Sequence, residues 1–108
     1  RNNFMVTMYL SNHASSGIPE SLEHVTVNLV PLDGGEISGI VVSGHAIAAD
    51  AMDELAAIVN TRLQGGATDI HVRADRATKY SHVHNVIEAI REIGMTPRLQ
   101  LVVSGDER

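Results

Sequence analysis

The sequence has no cysteine in its 108 residues, which excludes a disulfide framework, a thiolate zinc site and a cysteine nucleophile, and is neutral on the redox compartment. It also lacks any apolar run approaching the roughly 20 residues that a membrane-crossing helix needs. No segment has the basic, apolar, small-residue order of a signal peptide. Basic residues are few and scattered singly: eight Lys+Arg stand against thirteen Asp+Glu, a net charge of −5. That balance removes the electrostatic footprint of a nucleic-acid binder. What is present is a chain 44% hydrophobic and 19% charged, too apolar and too weakly charged to stay disordered. Its length allows one domain and no second core. The chain opens on Arg1 rather than methionine, as expected of a fragment or processed product whose membrane or targeting segment lies upstream.

Residues 4–10 (FMVTMYL) form a short apolar run followed by the small, polar stretch 11–17 (SNHASSG). The pair reads as the end of an anchor and a linker, or as a packed terminal segment. Residues 1–22 are therefore set apart from a folded domain over 23–108. From His24 the pattern alternates, with Val25, Val27 and Leu29 on one side and Thr26 and Asn28 on the other, the period of a half-buried strand. Pro31 ends it, and Leu32-Asp33-Gly34-Gly35 supplies turn chemistry for a hairpin. The returning strand is expected over about Glu36 to Val42, with Ile37 and Val41 toward the core and a bulge at Gly39.

Met52, Leu55, Val59 and Leu63 then recur at helical spacing. Asp50 is the capping candidate, early carboxylates complement the helix dipole, and Gly65-Gly66 is the stop. Residues 69–74 (DIHVRA) read as a short, half-exposed strand with Ile70 and Val72 facing one way and His71 and Arg73 the other. A second helix is expected over about Lys79 to Ile93. Its stripe is Val83, Val86, Ile87, Ile90 and Ile93, its cap Thr78, and its stop Gly94 with Pro97 beyond. Residues 98–103 (RLQLVV) read as a final strand. The order is β-β-α-β-α-β: an α+β, two-layer sandwich with a small mixed sheet and two helices on one face. The closing β-α-β unit predicts parallel neighbouring strands.

Six histidines invite a metal hypothesis, which their spacing does not support. His82 and His84, two apart on a helix, point in widely different directions. His13, His24, His45 and His71 fall in a linker, a strand start, a loop and the polar side of a strand, with no HExxH among them. No serine occupies a nucleophile elbow. The glycine pairs lack the flanking residues of a phosphate-binding loop, and Asp50, Asp53 and Glu54 are explained by capping and solvation. The reading is of a chain with no catalytic residue, cofactor or metal, and not an enzyme. The segment 74–80 (ADRATKY) is the most informative: Asp75 is placed to accept from loop amides at a strand end, and Tyr80 falls in a helical first turn where its ring can lie over the sheet edge.

From residue 70 to residue 105 the sequence, IHVRADRATKYSHVHNVIEAIREIGMTPRLQLVVSG, resembles the end of the periplasmic domain of the ExbD/TolR biopolymer-transport family. The features that carry the resemblance are Ala74-Asp75 closing a strand, Tyr80 after a short loop, a Val/Ile helix running to Gly94, and a last strand. Ile18-Pro19 looks like the Leu-Pro that follows the family's membrane segment, and residues 4–7 like the end of its transmembrane helix. The resemblance implies a subunit of a proton-motive-force-driven inner-membrane motor that supports transport or envelope integrity. It implies a single-pass anchor, this domain in the periplasm, a homodimer and an ExbB/TolQ-like channel protein as partner. A TonB- or TolA-like protein, or peptidoglycan, would be the other partner, and the ExbD and TolR branches stay open. The transmembrane carboxylate of the family has no counterpart in this sequence. Partner contact is expected at Ile18, Pro19, His24 and Val25, with Ala74, Asp75, Tyr80 and Gly94 as structural motif residues. The alternative is a free-standing extracytoplasmic module that binds peptidoglycan or another ligand.

Overall fold

A computed structural model describes residues 6–11 and 23–105. The elements run β1 (Val6–Ser11), β2 (His24–Pro31), a 3-10 turn (Asp33–Gly35), β3 (Ile37–Val42), β4 (His45–Ile47), α1 (Met52–Gln64), β5 (Asp69–Asp75), α2 (Tyr80–Arg91) and β6 (Arg98–Ser104). The strands form one mixed sheet in the order β1-β6-β5-β2-β3-β4. β2, β5, β6 and β1 run parallel to one another, β3 is antiparallel to β2, and β4 is antiparallel to β3. This is the expected α+β sandwich, extended by a strand at each edge.

Alternation decides what each strand buries. Val25, Val27 and Leu29 of β2, Ile70, Val72 and Ala74 of β5, and Leu99 of β6 belong to a single core. Onto it α1 lays Leu55, Val59 and Leu63, and α2 lays Val83, Val86, Ile87 and Ile90. These side chains recur every three or four residues, so each helix presents one apolar stripe and the other positions remain at the surface. In β3 the core positions are Ile37, Ile40 and Val42, not Ile37 and Val41. The register shifts where Val30 pairs with Gly39 and Pro31 with Ile37. Ser38 is thus the extra residue of a bulge, and the bulge changes the parity of everything beyond it.

The helix starts also differ from expectation. α1 is flanked by Ala51 and α2 by Lys79, neither with a side-chain cap. Asp50 contributes its carbonyl to the Met52 amide, and the Thr78 hydroxyl is buried without a hydrogen-bond partner among the described residues. At the other end of α1, Arg62 donates from Nη1 to Ser43 Oγ at 2.6 Å and from Nη2 to the His24 carbonyl at 3.0 Å. One guanidinium therefore ties the helix end to the β3–β4 turn and to the start of β2. Truncating it to alanine should lower stability by about 1–2 kcal/mol, since hydrogen bonds from a charged donor are lost in a partly buried place. Urea unfolding of R62A checks this, and an unchanged midpoint would deny the tie any weight.

Residues 6–11, read as an anchor end or a packed terminal segment, are an edge strand: Val6 pairs with Leu99 and the register runs to Ser11 opposite Ser104. Among the described residues no helix is long and apolar enough to cross a membrane.

Candidate functional site

The parallel strands β2 and β5 deliver their carboxyl ends side by side, and the loops that follow them meet there. Gly34 and Gly35 both have positive φ, 76° and 82°, which lets the chain turn sharply between β2 and β3. The Gly35 carbonyl accepts the Lys79 amide at 2.9 Å. A Cβ at Gly35 would stand 2.8 Å from the Ala77 carbonyl oxygen, so the two loops approach closely only because this residue has no side chain. On the β5 side, the Asp75 Oδ2 accepts the Ala77 amide at 2.9 Å, its carbonyl accepts the Thr78 amide, and the Arg76 amide reaches the Ser104 carbonyl at 2.7 Å. The side-chain bond is an Asx turn, which sets the path from strand to helix.

Glu36 joins the loops from outside. Its Oε2 takes a hydrogen bond from Lys79 Nζ, and its Oε1 lies 2.8 Å from His82 Nε2. The Lys79 hydrogen bond, then the one from His82, holds the Glu36 carboxyl below its usual range. Asp69 is likewise held low, first by the Thr68 hydroxyl at 2.6 Å and then by Arg98 at 3.0 Å, against the opposing effect of burial. Depressed carboxylates stabilise the fold above their ordinary range near pH 4, and that contribution is lost as pH falls through their lower folded values. The melting temperature should therefore drop below about pH 4.5, and the combined Glu36→Gln and Asp69→Asn variant should drop less steeply. Parallel acid limbs in the two proteins would refute this assignment.

Between the loops lies an open cleft of about 660 Å³. Pro31, Leu32, Asp33, Gly34 and Gly35 line one side, Asp75 and Ala77 the other. Leu32 is 54% exposed.

The expected site residues do not come together here. Ile18 and Pro19 lie outside the described residues, as does His13. His24 and Val25 are buried and pair with β5, His24 opposite Asp69 and Val25 opposite Ile70, while the ladder to β3 begins at Val27. Their side chains face into the fold, so partner contact expected at these two positions could run only through the main chain of the strand start. Ala74 is a core residue, and Gly94, with φ of 91°, follows α2. Tyr80 does not lie over the sheet edge. It is 69% exposed, tilted against His84 with ring centroids 5.8 Å apart.

β5 is interior rather than half exposed. On the sheet face opposite the helices, its His71 stacks on His24 at 4.4 Å with an interplanar angle of 23°, and both rings are buried. His82 belongs to the Glu36 cluster, and His45 Nδ1 is 3.3 Å from the Ser43 carbonyl oxygen. Among the described residues no group of three or more potential ligands is placed to hold a metal ion.

Sequence reasoning missed the Glu36–Lys79–His82 cluster. Lys79 and His82 are three apart, the spacing of one helix face. Their carboxylate partner is more than forty positions earlier and announces nothing in the sequence. No family model, curated protein or solved structure matches the chain.

Proposed function

We propose that this chain is the periplasmic domain of an ExbD/TolR-like subunit in a proton-motive-force-driven inner-membrane motor, acting as a non-enzymatic homodimer. The observation that carries the reading is the pairing of β1 with β6. The outer strand of the helix-covered sheet takes a six-residue segment in parallel register, Val6↔Leu99 to Ser11↔Ser104. An edge that accepts a strand is the element that a force-transmitting domain needs, because main-chain hydrogen bonds give grip and alternate side chains give register. The order of motif residues from Ala74-Asp75 through Tyr80 to Gly94 supports the same reading by resemblance.

On this reading the membrane span ends before Val6, because Val6 and Thr7, expected at the end of the transmembrane helix, pair with Leu99 and Gln100 in the sheet. An ExbB/TolQ-like channel protein would hold the anchor, and a TonB- or TolA-like protein or peptidoglycan would engage the periplasmic side. The coding sequence upstream of Arg1 tests the proposal. It should encode one apolar span of about 20 residues containing an aspartate. A signal peptide or a cytosolic start in that place would refute the motor role.

A further inference from the structure

We propose that the cleft at the carboxyl ends of β2 and β5 is a docking site for a cationic peptide segment of a partner protein, with a lysine or arginine next to an apolar residue. The inference stands on the cleft alone and does not depend on the motor reading.

The volume, about 660 Å³, is that of a cleft able to hold a few side chains. Gly34, Gly35 and Ala77 line it with little side chain, and a Cβ at Gly34 would meet nothing within 4 Å. A peptide main chain can therefore approach closely. Leu32, more than half exposed on the rim, is a large apolar side chain open to solvent and gives an apolar neighbour something to cover.

Charge selects the occupant. Asp33 and Asp75 both line the cleft, and neither forms an ion pair with a described residue; the one side-chain bond of Asp75 goes to the Ala77 amide. The nearby Lys79 is held by Glu36. Two carboxylates beside an apolar rim, on a chain of net charge −5, attract an ammonium or guanidinium and repel acidic segments. Such a partner would gain a charge-assisted contact and an apolar one in the same groove.

The experiment is an NMR titration of the isotope-labelled 108-residue chain with the peptide Ac-Ala-Lys-Leu-Lys-Ala-NH2. Its controls are the same peptide with glutamate for lysine, the same with serine for leucine, and N-acetyl-lysine amide. Saturable shifts centred on the Gly34, Gly35 and Ala77 amides are expected, weaker with the serine peptide and absent with the glutamate peptide. The Asp33→Asn and Asp75→Asn double variant should raise Kd about tenfold or more. Its melting temperature should hold, because a carboxamide oxygen still accepts the Ala77 amide. Leu32→Ser, at an exposed position, should weaken binding without touching the carboxylates.

Absence of saturable shifts at these amides overturns the proposal. So does equal binding of the glutamate peptide, or an unchanged Kd in the double variant. N-acetyl-lysine amide binding as tightly as the peptide would also overturn it, by reducing the site to a simple amine receptor.

Discussion

Replacing Leu55 by alanine should destabilise the domain by about 3 kcal/mol, the largest single effect we expect outside the backbone turns. Leu55 has no exposed surface and sits at the first inward position of α1, in the same core cluster as Ile40 and Val42 of β3 and Val86 and Ile90 of α2. Truncation would remove buried methyl groups and leave a hole bounded by a helix on one side and a pleated sheet on the other. Neither can shift far without disturbing its hydrogen bonds, so the cavity would collapse only in part. In a domain of this size a loss of about 3 kcal/mol corresponds to a fall in melting temperature of roughly 12–20 °C. Thermal and urea unfolding of L55A measure it. A fall of only a few degrees would mean that α1 packs loosely on the sheet, against the burial of Leu55, Val59 and Leu63.

Gly35→Ala should cost about 2–3 kcal/mol although it adds a single methyl group. Two effects act together. The backbone is in the left-handed region at φ of 82°, and the new Cβ would press on the Ala77 carbonyl oxygen at 2.8 Å, a backbone atom that cannot rotate away as a side chain would. Relief requires the β2–β3 turn and the β5–α2 turn to separate, which would stretch the Lys79 amide bond to the Gly35 carbonyl. Gly34 provides the contrast. Its φ is 76° but its Cβ would meet open space, so Gly34→Ala carries only the conformational penalty, about 1 kcal/mol. Equal midpoints for the two variants in urea unfolding would show that the close approach of the loops is not what Gly35 secures.

The parts of this fold that rest on local pattern are legible in the sequence. The alternation of Val25, Val27 and Leu29 marks a strand with one inward face, and the recurrence of Val83, Val86, Ile87 and Ile90 marks a helix stripe, because these periods follow from backbone geometry alone. The turn at Asp33-Gly34-Gly35 is equally local. Sheet order is not. Nothing in the alternation of β2 says that β5 lies on one side of it and β3 on the other, so His24 and Val25 read as an accessible strand start although their side chains are buried. The pairing of His24 with His71 was hidden for the same reason: both are polar-face positions, and their burial depends on which strands become neighbours. The bulge at Ser38 is a one-residue event that reverses parity, which is why Val41 gave way to Ile40 and Val42. β4 has three residues, too few for a pattern to register. β1 is an apolar run whose helix and strand readings cannot be separated by periodicity. Of the candidate site, the turn residues Gly34, Gly35 and Asp75 were visible as turn chemistry. The cleft between them was not, since it exists only after parallel pairing sets two loops side by side.

The most direct test of the proposed role is purification of the native protein from its own cells, with the soluble and detergent-extracted membrane fractions both analysed for it and for stoichiometric companions. A motor subunit comes from the membrane fraction as a dimer bound to a multi-spanning channel protein. If it is a motor subunit with an aspartate in a membrane span, changing that aspartate uncouples the motor and leaves the complex intact. Recovery from the soluble fraction, or from the membrane as a lone monomer, would contradict the proposed role.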